Sequence, residues 1–254
     1  MDIKIAAGQR LMAGLPGTEL DPGFVSLVRE CKVGNVILFR RNVKSAAQLE
    51  RLCTSLRRLI VAETGFEPFI AIDQEGGVVS RFSPDMAITP GAMALAAAGG
   101  DAPYRAARIT AQQLRAAGVN FDLAPVLDVN SNPLNPVIGV RSFGDVPEEA
   151  AERALGFMRG LLDGGIMACG KHFPGHGDTD TDSHIGQPKV DNSREQLQTF
   201  ADCQHLIQKP LCLVCDDAVL LEQALRQYQG RALYEGGLSD EALLPLCERY
   251  GLIL

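Results

Sequence analysis

The chain has 254 residues, an apolar fraction of 46% and a formal net charge of −7. That length holds one large α/β domain or two small ones. The negative charge and the lack of any lysine- or arginine-rich block exclude a nucleic-acid surface as the expected function, and no apolar run is long enough to span a bilayer.

Strand-like and helix-like segments alternate, the signature of βα units around a parallel sheet. A first strand is expected near residues 10–15 and a second at 35–39 (NVILF). Ser45 with Gln48 three residues on reads as a capping box opening a helix, with Leu49, Leu52, Leu56 and Leu59 on one face. Residues 69–73 (FIAID) form the next strand, ending before the pair Gly76-Gly77. Asp101 and Pro103 start a helix that Gly118 stops. Residues 121–129 (FDLAPVLDV) read as one strand. Asp145, Pro147 and Glu148 begin a helix with Ala151, Leu155, Met158 and Leu162 on a shared face. Residues 166–169 are a strand. Asn192 caps a helix carrying Leu197, Phe200 and Leu206. Residues 211–215 are the last strand, followed by helices from about Ala218 and Ser239. The sum is about six βα units in a single domain over 1–254.

The seven cysteines lie scattered among apolar residues, which suits buried thiols in a reducing compartment. Cys212 and Cys215 form a lone C-x-x-C that reads as strand packing rather than as a zinc or redox centre. The opening MDIKIAAGQRLMAGLPG has no basic segment followed by an apolar core, so a cytoplasmic location is expected.

Polar residues collect at strand ends. Asp73, Asp128, Lys171-His172 and Asp216-Asp217 each close an apolar run. Singly, each aspartate reads equally as a cap or turn residue. In a parallel barrel, however, those ends converge on one mouth, and carboxylates, a lysine and histidines together make an enzyme pocket. The densest case is KHFPGHGDTDTDSH at 171–184, which holds three of the four histidines and three aspartates. Its Pro174, Gly175 and Gly177 forbid a regular helix, so these ionisable groups lie on a loop after a strand. A metal site built from His172, His176, Asp178, Asp182 and His184 is one reading. H-F-P-G-H cannot place two histidines on one helical face, so the helical zinc-protease pattern fails, and no metal or cofactor is expected.

Five stretches carry a resemblance: NVILFRRN at 35–42, AIDQEGGVVSRF at 71–82, FDLAPVLDVNSNP at 121–133, IGVRSFG at 138–144, and KHFPGHGDTDTDSH. In this order they resemble the family 3 glycoside hydrolases, in the branch of bacterial β-N-acetylhexosaminidases. The resemblance implies a TIM-type barrel that removes a terminal N-acetylglucosamine from a β-glycoside with retention of configuration. It makes His184 the general acid/base and Asp182 the group that orients its ring. It maps sugar binding onto Asp73, Arg81, Arg141, Lys171 and His172. The chemistry agrees. An imidazole can donate and then accept a proton near neutral pH. A neighbouring aspartate favours its charged form. Asp73 can accept from sugar hydroxyls, to which Arg81 and Arg141 can donate. Gly76 and Gly77 would let the backbone pass close to the sugar ring.

One element of the family pattern is not found. The nucleophilic aspartate belongs to a segment I/V-x-S-D-D/C-x-x-M after a later strand, preceded by a long stretch with a histidine at a strand end. Here the chain goes directly from about residue 208 to KPLCLVCDDAVLLEQAL, which resembles the last barrel strand. An internal block with two βα units is therefore missing on this reading, and Asp216 is the sole imitation of a nucleophile. The barrel is then incomplete, with open strand edges that favour pairing with a second copy. Three alternatives to a retaining hexosaminidase stay open: a non-catalytic or vestigial sugar-binding protein, a β-glycoside phosphorylase, and the metal-dependent hydrolase.

Overall fold

The computed structural model describes residues 2–173, 175–179, 212–214, 217–227 and 232–252. Two compact units are present, residues 1–189 and 190–254.

The first unit opens with α1 (Ile3–Gly8) and β1 (Met12–Gly14), then α2 (Pro22–Cys31), β2 (Asn35–Leu38), α3 (Ala46–Thr64) and β3 (Ile70–Ile72). It continues with α4 (Ala92–Ala98), α5 (Ala102–Ala116), β4 (Phe121–Asp122), α6 (Pro147–Asp163) and β5 (Met167–Ala168). The five strands form one sheet in the order β1-β2-β3-β4-β5, every pair parallel. Sequential order, with a helix in each crossover, is the arrangement of a TIM-type barrel; a doubly wound sheet would reverse its order part-way. All three residues of β3 are buried, as expected of a strand covered on both faces.

Local chemistry sets most boundaries. Asp21 accepts from the Phe24 amide and Pro22 takes the first position of α2. Ser45 accepts from the Gln48 amide at the start of α3. The reciprocal half of the expected capping box shifts by one residue, since Gln48 Oε1 accepts from Lys44 N at 2.7 Å. Buried Leu49, Leu52, Cys53, Leu56 and Ile60 form the inner face of α3, with Leu59 packed at its margin.

Two expectations are corrected. The run 121–129 is not one continuous strand. Ladder pairing covers Phe121–Asp122, Pro125 has no N–H to give, and a single parallel bridge from Val126 to Lys171 resumes it. The inner face of α6 is Ala150, Ala154, Phe157, Gly160 and Leu161, whereas Leu155 and Leu162 are 43% and 49% exposed. The reason is close helix contact. A Cβ on Gly160 would lie 2.4 Å from the Tyr104 carbonyl oxygen of α5, and one on Gly164 would lie 2.2 Å from Ala111 Cβ. Small residues therefore decide which face of α6 turns inward.

In the second unit β6 (Cys212–Val214) pairs in parallel with β7 (Leu233–Glu235), and α7 (Ala218–Gln227) and α8 (Asp240–Tyr250) supply a small core of Leu221, Leu225, Leu243 and Leu246. The strand β7 was not expected from the sequence. The expected helix after Asn192 lies outside the described residues, as does Cys215. Among the described residues no helix is long and apolar enough to cross a membrane.

Candidate active site

Because β1 to β5 run in parallel, the residues that follow them emerge at one end of the sheet. Asp73 follows β3, Asp128 lies beyond β4, and Lys171-His172 follow β5, as expected. They meet there. Lys171 Nζ lies 2.7 Å from Asp73 Oδ1 and 2.6 Å from Glu75 Oε1. Arg141 binds Glu75 through two bonds, Nε to Oε2 at 2.9 Å and Nη2 to Oε1 at 2.8 Å. Arg81 Nη2 lies 3.8 Å from Asp73 Oδ2. Three cations and two carboxylates thus form one continuous network. Burial alone pushes the Glu75 carboxyl up. The hydrogen bond from Arg141 and the charge of Lys171 outweigh it and hold Glu75 below the ordinary carboxylate range. The bond to Glu75 in turn raises the Arg141 guanidinium.

The turn after β3 is built to present these groups. Gln74 is fully buried between Asp73 and Glu75, and its Oε1 accepts from the Arg81 amide at 2.8 Å. Its Nε2 donates to Ser80 Oγ at 3.0 Å. Gly76 and Gly77 have φ of 89° and 55°, and a Cβ at either would meet the backbone of Pro90 or Gly91 within 2.7 Å. The absence of a side chain at both positions lets this turn pack against the 90–91 backbone.

Asp128 organises the second half of the site. Its side chain is fully buried. Oδ2 accepts from the His172 amide at 3.0 Å and meets His172 Nδ1 at 2.6 Å, while Oδ1 accepts from the His176 amide at 2.6 Å. Burial opposes its ionisation, but these donors, His172 first, hold it below the ordinary range. With Nδ1 engaged by the carboxylate, Nε2 of His172 is the ring atom left for a ligand. His176 is buried and its Nδ1 meets Thr179 Oγ1. Asn135 ties two loops together. Its Nδ2 donates to the His176 and Thr179 carbonyls, and its Oδ1 accepts from the Val137 and Ile138 amides. The segment carrying Arg141 is thereby fixed to the segment carrying His172.

The structure brings together Asp73, Arg81, Arg141 and Lys171, with His172 adjacent in chain to Lys171. Asp182, His184 and Asp216 lie outside the described residues. Arg141 is not a surface ion pair, since its side chain is 15% exposed against a 7% exposed Glu75. Glu75 is the residue that sequence reasoning missed. Its signal was available, because residues two apart in extended chain share a side, and Asp73 was already named. Among the described residues no group of three or more His, Cys, Asp or Glu side chains is set to hold a metal.

Residues 16–216 match the glycosyl hydrolase family 3 N-terminal domain. The chain is 38% identical over 186 residues to beta-hexosaminidase A of Pseudoalteromonas piscicida, covering 71% of this chain and 31% of that protein. It is 38% identical over 195 residues to a beta-hexosaminidase of Alkalilimnicola ehrlichii, covering 74% of this chain and 55% of that one. In structure it is similar to a family 3 beta-N-acetylglucosaminidase from a Paenibacillus species, with TM-score 0.75, 34% identity, and coverage of 99% of this chain and 51% of the other. NagZ from Neisseria gonorrhoeae gives TM-score 0.67 and 32% identity over 80% of this chain and 60% of that chain. The chain thus spans about half the length, or less, of the beta-hexosaminidases it matches. By the match of most of its length, this chain belongs to glycosyl hydrolase family 3.

Proposed function

We propose that the chain is a glycoside hydrolase of the retaining β-N-acetylhexosaminidase type, built to bind a terminal β-linked N-acetylglucosamine. The observation that carries the reading is the network of Asp73, Lys171, Glu75 and Arg141 at the strand ends. Carboxylates and cations held in one partly buried cluster can accept from sugar hydroxyls and donate to hydroxyl or acetamido oxygens. The names of the relatives, beta-hexosaminidase and beta-N-acetylglucosaminidase, support the same substrate class. Asp73, Arg81, Arg141, Lys171 and His172 bind the sugar. His184 acts as general acid/base, with Asp182 orienting its ring.

Retaining cleavage also needs a carboxylate on the opposite face of the sugar. The internal block after about residue 208 is missing in this reading, and Asp216 is the candidate substitute. The second reading, a sugar-binding protein of low catalytic power, follows from the same gap. The protein acts in the cytoplasm, and the open strand edges pair with a second copy.

The test is turnover of an aryl β-N-acetylglucosaminide by the wild type, His184→Ala and Asp216→Asn. The wild type is expected to turn over several orders of magnitude more slowly than a full-length relative, with the remainder lost in His184→Ala; it is lost in Asp216→Asn as well if Asp216 has taken the nucleophile's place, and kept if it has not. A wild-type rate equal to that of a relative and abolished by Asp216→Asn would establish Asp216 as nucleophile and overturn the account of a missing block.

A further inference from the structure

Asp122, the last residue of β4, has no part in the contacts described so far, yet it lies beneath them. Its side chain is fully buried. Oδ1 accepts from the Gln74 amide at 2.9 Å, and Oδ2 is buried with no donor among the described residues. The amide it holds belongs to the residue between Asp73 and Glu75. The charged groups facing it are Lys171 after β5 and Asp73 and Glu75 after β3. Lys171 is already committed, with its ammonium within 2.7 Å of both other carboxylates.

An ionised Asp122 would be a third carboxylate at this cluster, with one oxygen lacking any donor among the described residues, in a fully buried place. Like charge and desolvation both oppose that state. An uncharged acid keeps the acceptor for Gln74 and leaves Lys171 to Asp73 and Glu75. We propose that Asp122 is a positioning residue that works as a neutral carboxylic acid, fixing the Gln74 peptide so that Asp73 and Glu75 face Lys171 and Arg141. Burial in first place drives its carboxyl well above the ordinary range, opposed in part by the Gln74 amide and Lys171. The importance of that peptide for sugar binding rests on the function proposed above; the charge state does not.

Two variants of the full chain test this. Asp122→Asn keeps shape and acceptor but cannot ionise. Asp122→Leu keeps size and loses the acceptor. Sign follows from linkage: below the ordinary carboxyl value Asp122 is neutral in both folded and unfolded chains. As pH rises the unfolded chain ionises it while the folded chain does not, which penalises the wild type. The melting temperature of Asp122→Asn minus that of wild type is therefore expected to grow from pH 4 to pH 7. A difference that is flat, or that falls with pH, overturns the neutral state. In parallel, titration with N-acetylglucosamine is expected to give equal affinity for wild type and Asp122→Asn, and roughly tenfold weaker affinity for Asp122→Leu, the scale of one lost buried hydrogen bond. Equal affinity in all three overturns the positioning role. If the wild type binds no sugar, the proposed function fails by itself. Asp122 is then judged on the melting series and on the Gln74 amide resonance, which must shift in Asp122→Leu and hold in Asp122→Asn.

Discussion

Replacing Glu75 with alanine is expected to lower folding stability by about 3–5 kcal/mol, the cost of breaking a buried ion pair from one side. The reason is geometric. Glu75 receives two bonds from Arg141 and the ammonium of Lys171. Removing it takes both carboxylate bonds from Arg141, whose side chain is 15% exposed, and leaves Lys171, 14% exposed, with Asp73 alone. Glu75→Gln retains an acceptor for Arg141 and should lose less. The pH dependence has a definite sign. The folded carboxyl is held below its ordinary value, so its contribution is complete above the unfolded value and is lost as pH falls through the folded one. The gap between wild type and Glu75→Gln is expected to be constant near neutrality and to close in acid. Urea unfolding of both proteins at a series of pH values measures it.

The second large effect is expected at Asp128. Alanine there leaves the His172 and His176 amides and the His172 ring without their acceptor. Buried donors left unpaired cost about 1–3 kcal/mol each, so a loss of about 3 kcal/mol or more is expected. Asp128→Asn should keep the fold better, because one amide oxygen can still serve one of the donors. It should nevertheless shift the His172 ring nitrogens in long-range nitrogen NMR spectra, since the carboxylate that holds Nδ1–H is gone. Unchanged His172 resonances in Asp128→Asn would show that the carboxylate does not set that ring's tautomer.

The sequence located the end of the sheet that carries the site. Parallel strands buried on both faces are apolar throughout, so a polar residue marks the point where the chain leaves the sheet. Asp73, Asp128 and Lys171 were legible for that reason. Glu75 was marked only by its place two residues after Asp73, and nothing local marked Asp122, because the partners of both are distant in sequence. Arg141 lies 66 residues from Glu75, and Gln74 lies 48 from Asp122. The inner face of α6 was misread because periodicity counts large apolar side chains, whereas contact with α5 selects Gly160 and the alanines. The short β4 was misread because an apolar run shows strand-like composition and does not reveal that ladder pairing stops after Asp122.

If the strand-end network grips one N-acetylglucosamine, as proposed, NMR titration of the sugar into the wild type and Asp73→Ala will show it. Saturable binding is expected, with amide shifts confined to residues following β3 and β5 and to the segment around Arg141. Asp73→Ala is expected to weaken affinity by about 1–3 kcal/mol, the cost of losing a buried hydrogen-bonding partner. Equal affinity in the two proteins, or shifts centred elsewhere, would contradict the assignment.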